Sequence, residues 1–162
     1  MDEILVDKNG YQQFLQELEK LEQQSLMNSI NGSEVYEAAV GDGWHDNFAF
    51  EESMRESRSI ASQIDKMHND QKLLKIIEKT EYNDEVIEIG DTFKVKICYA
   101  EDDIEEETLT LTGKYIPDTN QEIKEITLNS PLGKAVYQKK INTINSYYVG
   151  ENKIEVQILN KI

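Results

Sequence analysis

Apolar positions in the first half of this chain recur at the spacing of a helix. Tyr11, Phe14, Leu18 and Leu21 follow 3-4-3 steps, and Ile60, Ile64, Met67 and Leu74 follow 4-3-7 steps, so each set lines one helix face. Their flanks are Glu, Gln, Lys and Ser. Narrow stripes with polar flanks suit two antiparallel helices packed along a single seam, a coiled-coil hairpin, better than a globular core. The pattern predicts helix over residues 8–79, with Asp7 capping its start through a carboxylate that accepts orphan N–H groups. Ser25 and Asn28 fall where the first stripe should continue, and Asn31-Gly32 follows. A glycine inside a helix costs roughly 1 kcal/mol relative to alanine, so a kink near Asn31-Gly32 with a restart at Ser33 is expected. The second arm should run from Asp46 or Asn47 to about Thr80. Arms of about 30 to 35 residues reach roughly 45 to 50 Å.

From about Glu85 the period changes to two. Val86–Ile97 alternates around Gly90-Asp91, and so do Thr108–Thr112 and Lys153–Leu159. Alternation with β-branched residues predicts half-buried strands. Ser130-Pro131 predicts a short helix over Leu132–Gln138, with Ser as N-cap and Pro at the first helical position. Glu101–Glu107, six acids in seven residues, reads as a solvated loop, and residues 81–84 read as the linker. The predicted class is α+β: a long antiparallel coiled-coil hairpin over 1–80, then a small α+β sheet domain over 85–162.

The connection between the two arms carries the most information about function. From Asn31 to Met54 there are six carboxylates and no Lys or Arg, and the segment Gly41-Asp42-Gly43-Trp44-His45-Asp46-Asn47 interrupts the helical pattern. Bare carboxylates at the far end of a hairpin can enter a place that a globular surface cannot. Local structure explains some of the same residues: Asp46 and Asn47 are good N-caps, and Glu51 and Glu52 fall in the first turns of the second arm, where negative charge is favoured. Trp44, Phe48 and Phe50 can fold onto the loop or meet a partner, and the sequence leaves both open.

Composition narrows the classes. Charged residues make up 30% of the chain and the formal net charge is −15, a surface that repels a phosphate backbone. Residues 1–82 hold 17 acids and 8 bases, and residues 83–162 hold 15 and 9, so the excess is shared by both halves. Acidity alone also serves solubility. No run of 18 apolar residues predicts a membrane span, and the N-terminus lacks a basic stretch followed by an apolar one, so a reducing cytoplasm is expected. The single Cys98 sits in an apolar strand pattern and reads as a small core residue. There is no Gly-rich phosphate loop, zinc spacing or nucleophile elbow, and His68 reads as a helix-surface or seam residue. Asp42 and Asp46 are too few ligands for Mg²⁺, which takes oxygen donors and retains several waters. They suit half of a site that a partner completes, where a metal can activate water for phosphodiester attack.

Several segments together resemble the bacterial GreA/GreB transcript-cleavage factors over nearly the whole chain. Gly10-Tyr11 followed by Leu15–Leu21 is similar to the start of their first coil helix. Gly41-Asp42, Asp46-Asn47 and Glu51-Glu52 resemble their tip, usually Gly-Asp, two residues, Glu-Asn. Ile126–Ala135, containing Ser130-Pro131-Leu132-Gly133, resembles their Ser-Pro-Leu-Gly segment and is the most specific match. Ile154–Leu159 is similar to their last strand. The resemblance implies an FKBP-like C-terminal domain that binds RNA polymerase, with Ser130, Pro131, Leu132 and Gly133 in partner contact. It also implies a coil that enters the secondary channel, with Trp44, Asn47, Arg55 and Arg58 as further contacts. Asp42 and Asp46 correspond to the tip acids that help hold Mg²⁺ shared with the polymerase while backtracked RNA is cut at its 3′ end. On this reading the protein has no cofactor of its own, acts as a monomeric accessory rather than an enzyme, and meets the nascent RNA 3′ end only indirectly and no membrane.

The chain departs from that pattern in places. Gly43-Trp44-His45 replaces two residues between the acids, the second acid is Asp rather than Glu, and Phe50 stands for an aromatic of the family without a hydroxyl. Ile141-Asn142-Thr143 stands where the family has a Val-Gly-Asp type turn. These changes keep open a second reading, a secondary-channel regulator or inhibitor that does not cleave. A third, an FKBP-like isomerase or chaperone, rests on fold alone, and residues 83–162 offer it few aromatics and no Trp.

Overall fold

In a computed structural model the backbone is described for residues 2–42 and 47–162, and side chains for 2–31 and 48–162. The element order is β1 (Ile4–Val6), α1 (Lys8–Asp42), α2 (Asn47–Gln71), β2 (Leu74–Ile76), β3 (Thr92–Ala100), β4 (Asp103–Thr112), β5 (Lys124–Thr127), α3 (Pro131–Val136), β6 (Ile144–Val149) and β7 (Asn152–Lys161). It is a mixed α+β chain with two long helices, and it divides into two compact units. One comprises residues 15–73, the other residues 2–14 and 74–162. Among the described residues no helix is long and apolar enough to cross a membrane.

In the helical unit, Leu18 and Leu21 of α1 and Ile60 and Met67 of α2 are buried, as the stripes predict. His68 Nε2 and Glu22 Oε1, half-exposed and 3.2 Å apart, bring the two helices into polar contact beside them. α1 is continuous from Lys8 to Asp42, so the expected break at Asn31-Gly32 is absent. One glycine penalty of about 1 kcal/mol is small against the cooperativity of a 35-residue helix. Gly41 and Asp42 likewise end the helix instead of preceding its end. α2 stops at Gln71, well before Thr80, because Leu74–Ile76 pairs in parallel with Ile4–Val6. Leu74, which fits the helical stripe by spacing, is a strand residue.

The second unit holds a five-stranded sheet in the order β5-β4-β3-β7-β6. β4 and β5 are parallel, and the other neighbours are antiparallel. Phe93, Val95 and Ile97 alternate inward and pack with Leu109, Leu111, Ile126, Val156, Ile158 and Val136 in one core. The same alternation puts Cys98 with Lys94 and Lys96 on the outer face, half-buried, with Sγ 3.2 Å from the Ala100 carbonyl. It is not a core residue. Asp103–Glu107 are strand, not loop: β4 pairs with β3 across this stretch, and Lys94 Nζ meets Glu106 Oε2 at 2.9 Å. That bond holds the Glu106 carboxyl below its ordinary range. The strand expected over Val86–Ile97 starts only at Thr92, since Glu88–Asp91 form a turn closed by the Asp91 N–H to the Glu88 carbonyl.

The first turns of α1 belong to this unit. Asp7 caps the helix as expected, its Oδ1 accepting from the Gly10 N–H at 2.6 Å. Gly10 lies so close to the Gly113 carbonyl that a Cβ there would stand 2.0 Å from the oxygen. Phe14 is fully buried and meets Tyr115 edge-on, with ring centroids 4.9 Å apart.

Candidate partner-binding sites

Each unit carries one candidate site. In the helical unit the acidic segment is the connection between two helices. Asp42 is the last residue of α1 and Asn47 the first of α2. Their side chains, and the whole of Trp44 and Asp46, lie outside the described residues. Arg55 and Arg58 are exposed one turn apart on α2 and line a shallow concavity with Phe50, Glu51 and Met54. Among the described residues no group of three or more His, Cys, Asp or Glu is placed to hold a metal ion.

In the sheet unit the Ser130–Gly133 segment builds the start of α3. Ser130 is the N-cap: its Oγ accepts from the Gly133 N–H at 3.0 Å and donates to the Thr127 carbonyl at 2.8 Å. Pro131 occupies the first turn, where its missing N–H costs nothing. Gly133 is buried, and a Cβ on it would stand 1.9 Å from the Thr127 oxygen. Leu132 is half-buried against the core, and Pro131 is exposed. Of the four, Ser130 and Gly133 therefore have architectural duties, and Pro131 is the one with a surface to offer.

A concavity opens beside that segment, lined by Asn129, Pro131, Lys134, Ala135, Ser146, Tyr147 and Tyr148. The sequence pattern does not single out the β6 residues or Asn129. Asn129 brackets Leu5 of β1 with two bonds, Leu5 N–H to Oδ1 at 2.8 Å and Nδ2 to the Leu5 carbonyl at 2.9 Å, a pairing across 124 residues that no local signal announces. Burial, and after it the Tyr99 and Glu107 side chains, raise the Tyr147 phenol above its ordinary value. Nearby, Asn142 takes a left-handed φ of 62°. It thereby performs with a short polar side chain what glycine does in a turn, and its N–H reaches the Ile158 carbonyl at 2.8 Å.

No protein-family model matches the chain. The transcription elongation factor GreA of Acetivibrio thermocellus is 28% identical over 157 residues, covering 97% of this chain and 94% of that protein. Among solved structures, GreA factor homolog 1 (Gfh1) of Thermus thermophilus aligns over 99% of each chain at 20% identity with a TM-score of 0.44. GreA/GreB from Nitrosomonas europaea aligns over 68% of this chain and 91% of its own at 18% identity, with a TM-score of 0.39. The chain is thus similar to a GreA transcription elongation factor over nearly the full length of both proteins.

Proposed function

We propose that the protein is an accessory factor of transcription elongation that binds RNA polymerase and, without being an enzyme itself, stimulates the polymerase's own Mg²⁺-dependent cleavage of backtracked RNA. The observation that carries the reading is the full-length likeness to GreA. The placement of an acidic, base-free connection between two paired helices supports it. In this reading the sheet unit is the FKBP-like domain that docks on the polymerase, with Pro131 and the concavity beside it as the contact, and residues 1–80 form the hairpin that enters the secondary channel. Arg55 and Arg58 lie on that hairpin toward RNA. Asp42 and Asp46 supply carboxylate oxygens to a Mg²⁺ whose other ligands come from the polymerase, because two carboxylates alone hold it poorly. The site of action is the cytoplasm.

A transcript-cleavage assay on stalled elongation complexes tests this. Factor with Mg²⁺ should shorten the RNA, and Asp42→Asn or Asp46→Asn should abolish shortening while leaving polymerase binding intact. Absence of cleavage at saturating factor would sink the proposal. A second reading, a channel-binding regulator that does not cleave, is favoured by one feature: Asp42 ends α1. Gly43-Trp44-His45 then lengthens the gap to the second acid. It predicts slowed elongation without shortened RNA.

A further inference from the structure

The two edges of the five-stranded sheet are treated differently. β5 is four residues long, carries Lys124, and its Glu125 is engaged by Lys114 at 3.0 Å and by the Asp118 N–H at 2.7 Å. Short, charged, covered edges are how sheets avoid pairing with other chains. β6, the other edge, is six residues long and carries no charge of its own, with Lys134 of α3 beside it across the concavity. Residues 141–150 contain no charged residue and no Pro, in a chain of net charge −15. Ile144 and Tyr148 are 66% and 62% exposed on the same face of the strand. Among the described residues β6 makes no backbone hydrogen bond to any element but β7.

The ladder says which groups stand free. The Ile158 N–H donates to the Thr143 carbonyl at 3.0 Å. Hydrogen-bonded and non-bonded pairs alternate along antiparallel strands, so the backbones of Asn145, Tyr147 and Val149 turn toward β7, and those of Ile144, Ser146 and Tyr148 turn outward. The residues with free N–H and carbonyl groups are thus also the ones with the exposed apolar side chains.

We propose that β6 is a self-recognition edge, pairing antiparallel with β6 of a second copy about a two-fold axis at Ser146. In an isologous antiparallel pair each residue faces its mirror position in the strand. With Ser146 opposite itself, Ile144 faces Tyr148 of the other copy, twice. Aromatic with β-branched is a favourable cross-strand combination, and the small Ser146 sits where the two strands cross the axis. The neighbouring registers set Ile144 against Ser146 or Gly150 and leave apolar groups without partners. The ten-residue stretch without charge is where two chains of equal negative charge can meet with the least repulsion. Two sheets would join into one of ten strands. Tyr148 also lines the concavity beside Pro131, so self-pairing and the polymerase docking proposed above would compete. Only that last consequence rests on the proposed function. Self-pairing departs from the monomer that the resemblance implies.

Sedimentation of the full chain from about 1 to several hundred micromolar tests the pairing without polymerase. A concentration-dependent dimer is expected. Ile144→Lys should weaken it about tenfold or more, since two cross-strand pairs are lost at once, and adding Tyr148→Glu should restore it, because the new charges face each other across the axis. Both positions are exposed, and an unchanged far-UV circular dichroism spectrum will show that the variants fold. A chain that stays monomeric throughout, or a dimer indifferent to Ile144→Lys, overturns the proposal. So does β6 protection from hydrogen exchange that appears only when a foreign partner is added, which would assign the edge to another protein's strand.

Discussion

Gly133→Ala should be far more damaging than its single added methyl suggests. The new Cβ would stand 1.9 Å from the Thr127 oxygen and 2.9 Å from Ser130 Oγ, so the carbonyl would have to retreat by more than about 1 Å. It is not free to do so. Thr127 is paired with Thr112 in the β4–β5 ladder, and its oxygen accepts from both the Ser130 N–H and the Ser130 hydroxyl. Overpacking a tight site costs about 1–3 kcal/mol. Displacing Ser130 from its cap costs about 1 kcal/mol more, and alanine's better helix propensity returns about 1 kcal/mol. The net is a loss of about 2 kcal/mol, which for a unit of this size lowers the melting temperature by roughly 10 °C. Thermal unfolding followed by far-UV circular dichroism will measure it, with Pro131→Ala, at an exposed position, as the comparison. A Gly133→Ala melting point within about 2 °C of wild type would show that the Ser-Pro-Leu-Gly segment is not constrained as described. The outcome bears on function too: Gly133 is buried and has no side chain, so activity lost in this variant should track the unfolded fraction, whereas Pro131→Ala should weaken partner binding in a protein of normal stability.

Other perturbations follow from single features. Asn28 carries a buried Nδ2 with no hydrogen-bond partner among the described residues at a position the seam spacing assigns to the helix contact, so Asn28→Leu should stabilise the hairpin by about 1–2 kcal/mol; a lower urea midpoint would count against it. Gln138 holds a left-handed φ of 57°, which a glycine adopts without penalty, so Gln138→Gly should raise stability by about 1 kcal/mol, and a neutral or destabilising result would refute the strain. Glu106 has a folded-state pKa lowered first by its hydrogen bond to Lys94. Its contribution is therefore present above the unfolded carboxyl pKa and lost as pH falls through the lower folded value. In Lys94→Met the Glu106 titration seen by NMR should move up toward the ordinary carboxylate range, and an unchanged titration would exclude Lys94 as the cause.

The two long helices were legible because helical periodicity is a local property of the chain, and so were the core faces of β3, β4 and β7, where apolar side chains recur at every second position. The acidic connection and the Ser130-Pro131 helix start were also legible, since carboxylates without nearby bases and a capping residue before proline carry their meaning within a few positions. Long-range pairing decided the rest. Leu74 continues a helical stripe by spacing, yet it is a strand residue because β1, some seventy positions earlier, lies beside it. Cys98 looks like core by its neighbours, but the parity set by Phe93, Val95 and Ile97 turns it outward. Asp103–Glu107 reads as loop by charge and is held as strand by pairing with β3. Nothing in Ile144–Val149 alternates between apolar and polar, and only its ladder with β7 makes it an edge strand with groups left to pair. Residue types along the chain determined which segments bury an apolar face and where negative charge gathers. Tertiary structure alone decided which strands lie side by side, and so which edge stands open, because backbone hydrogen bonding between strands is the same whatever side chains they carry.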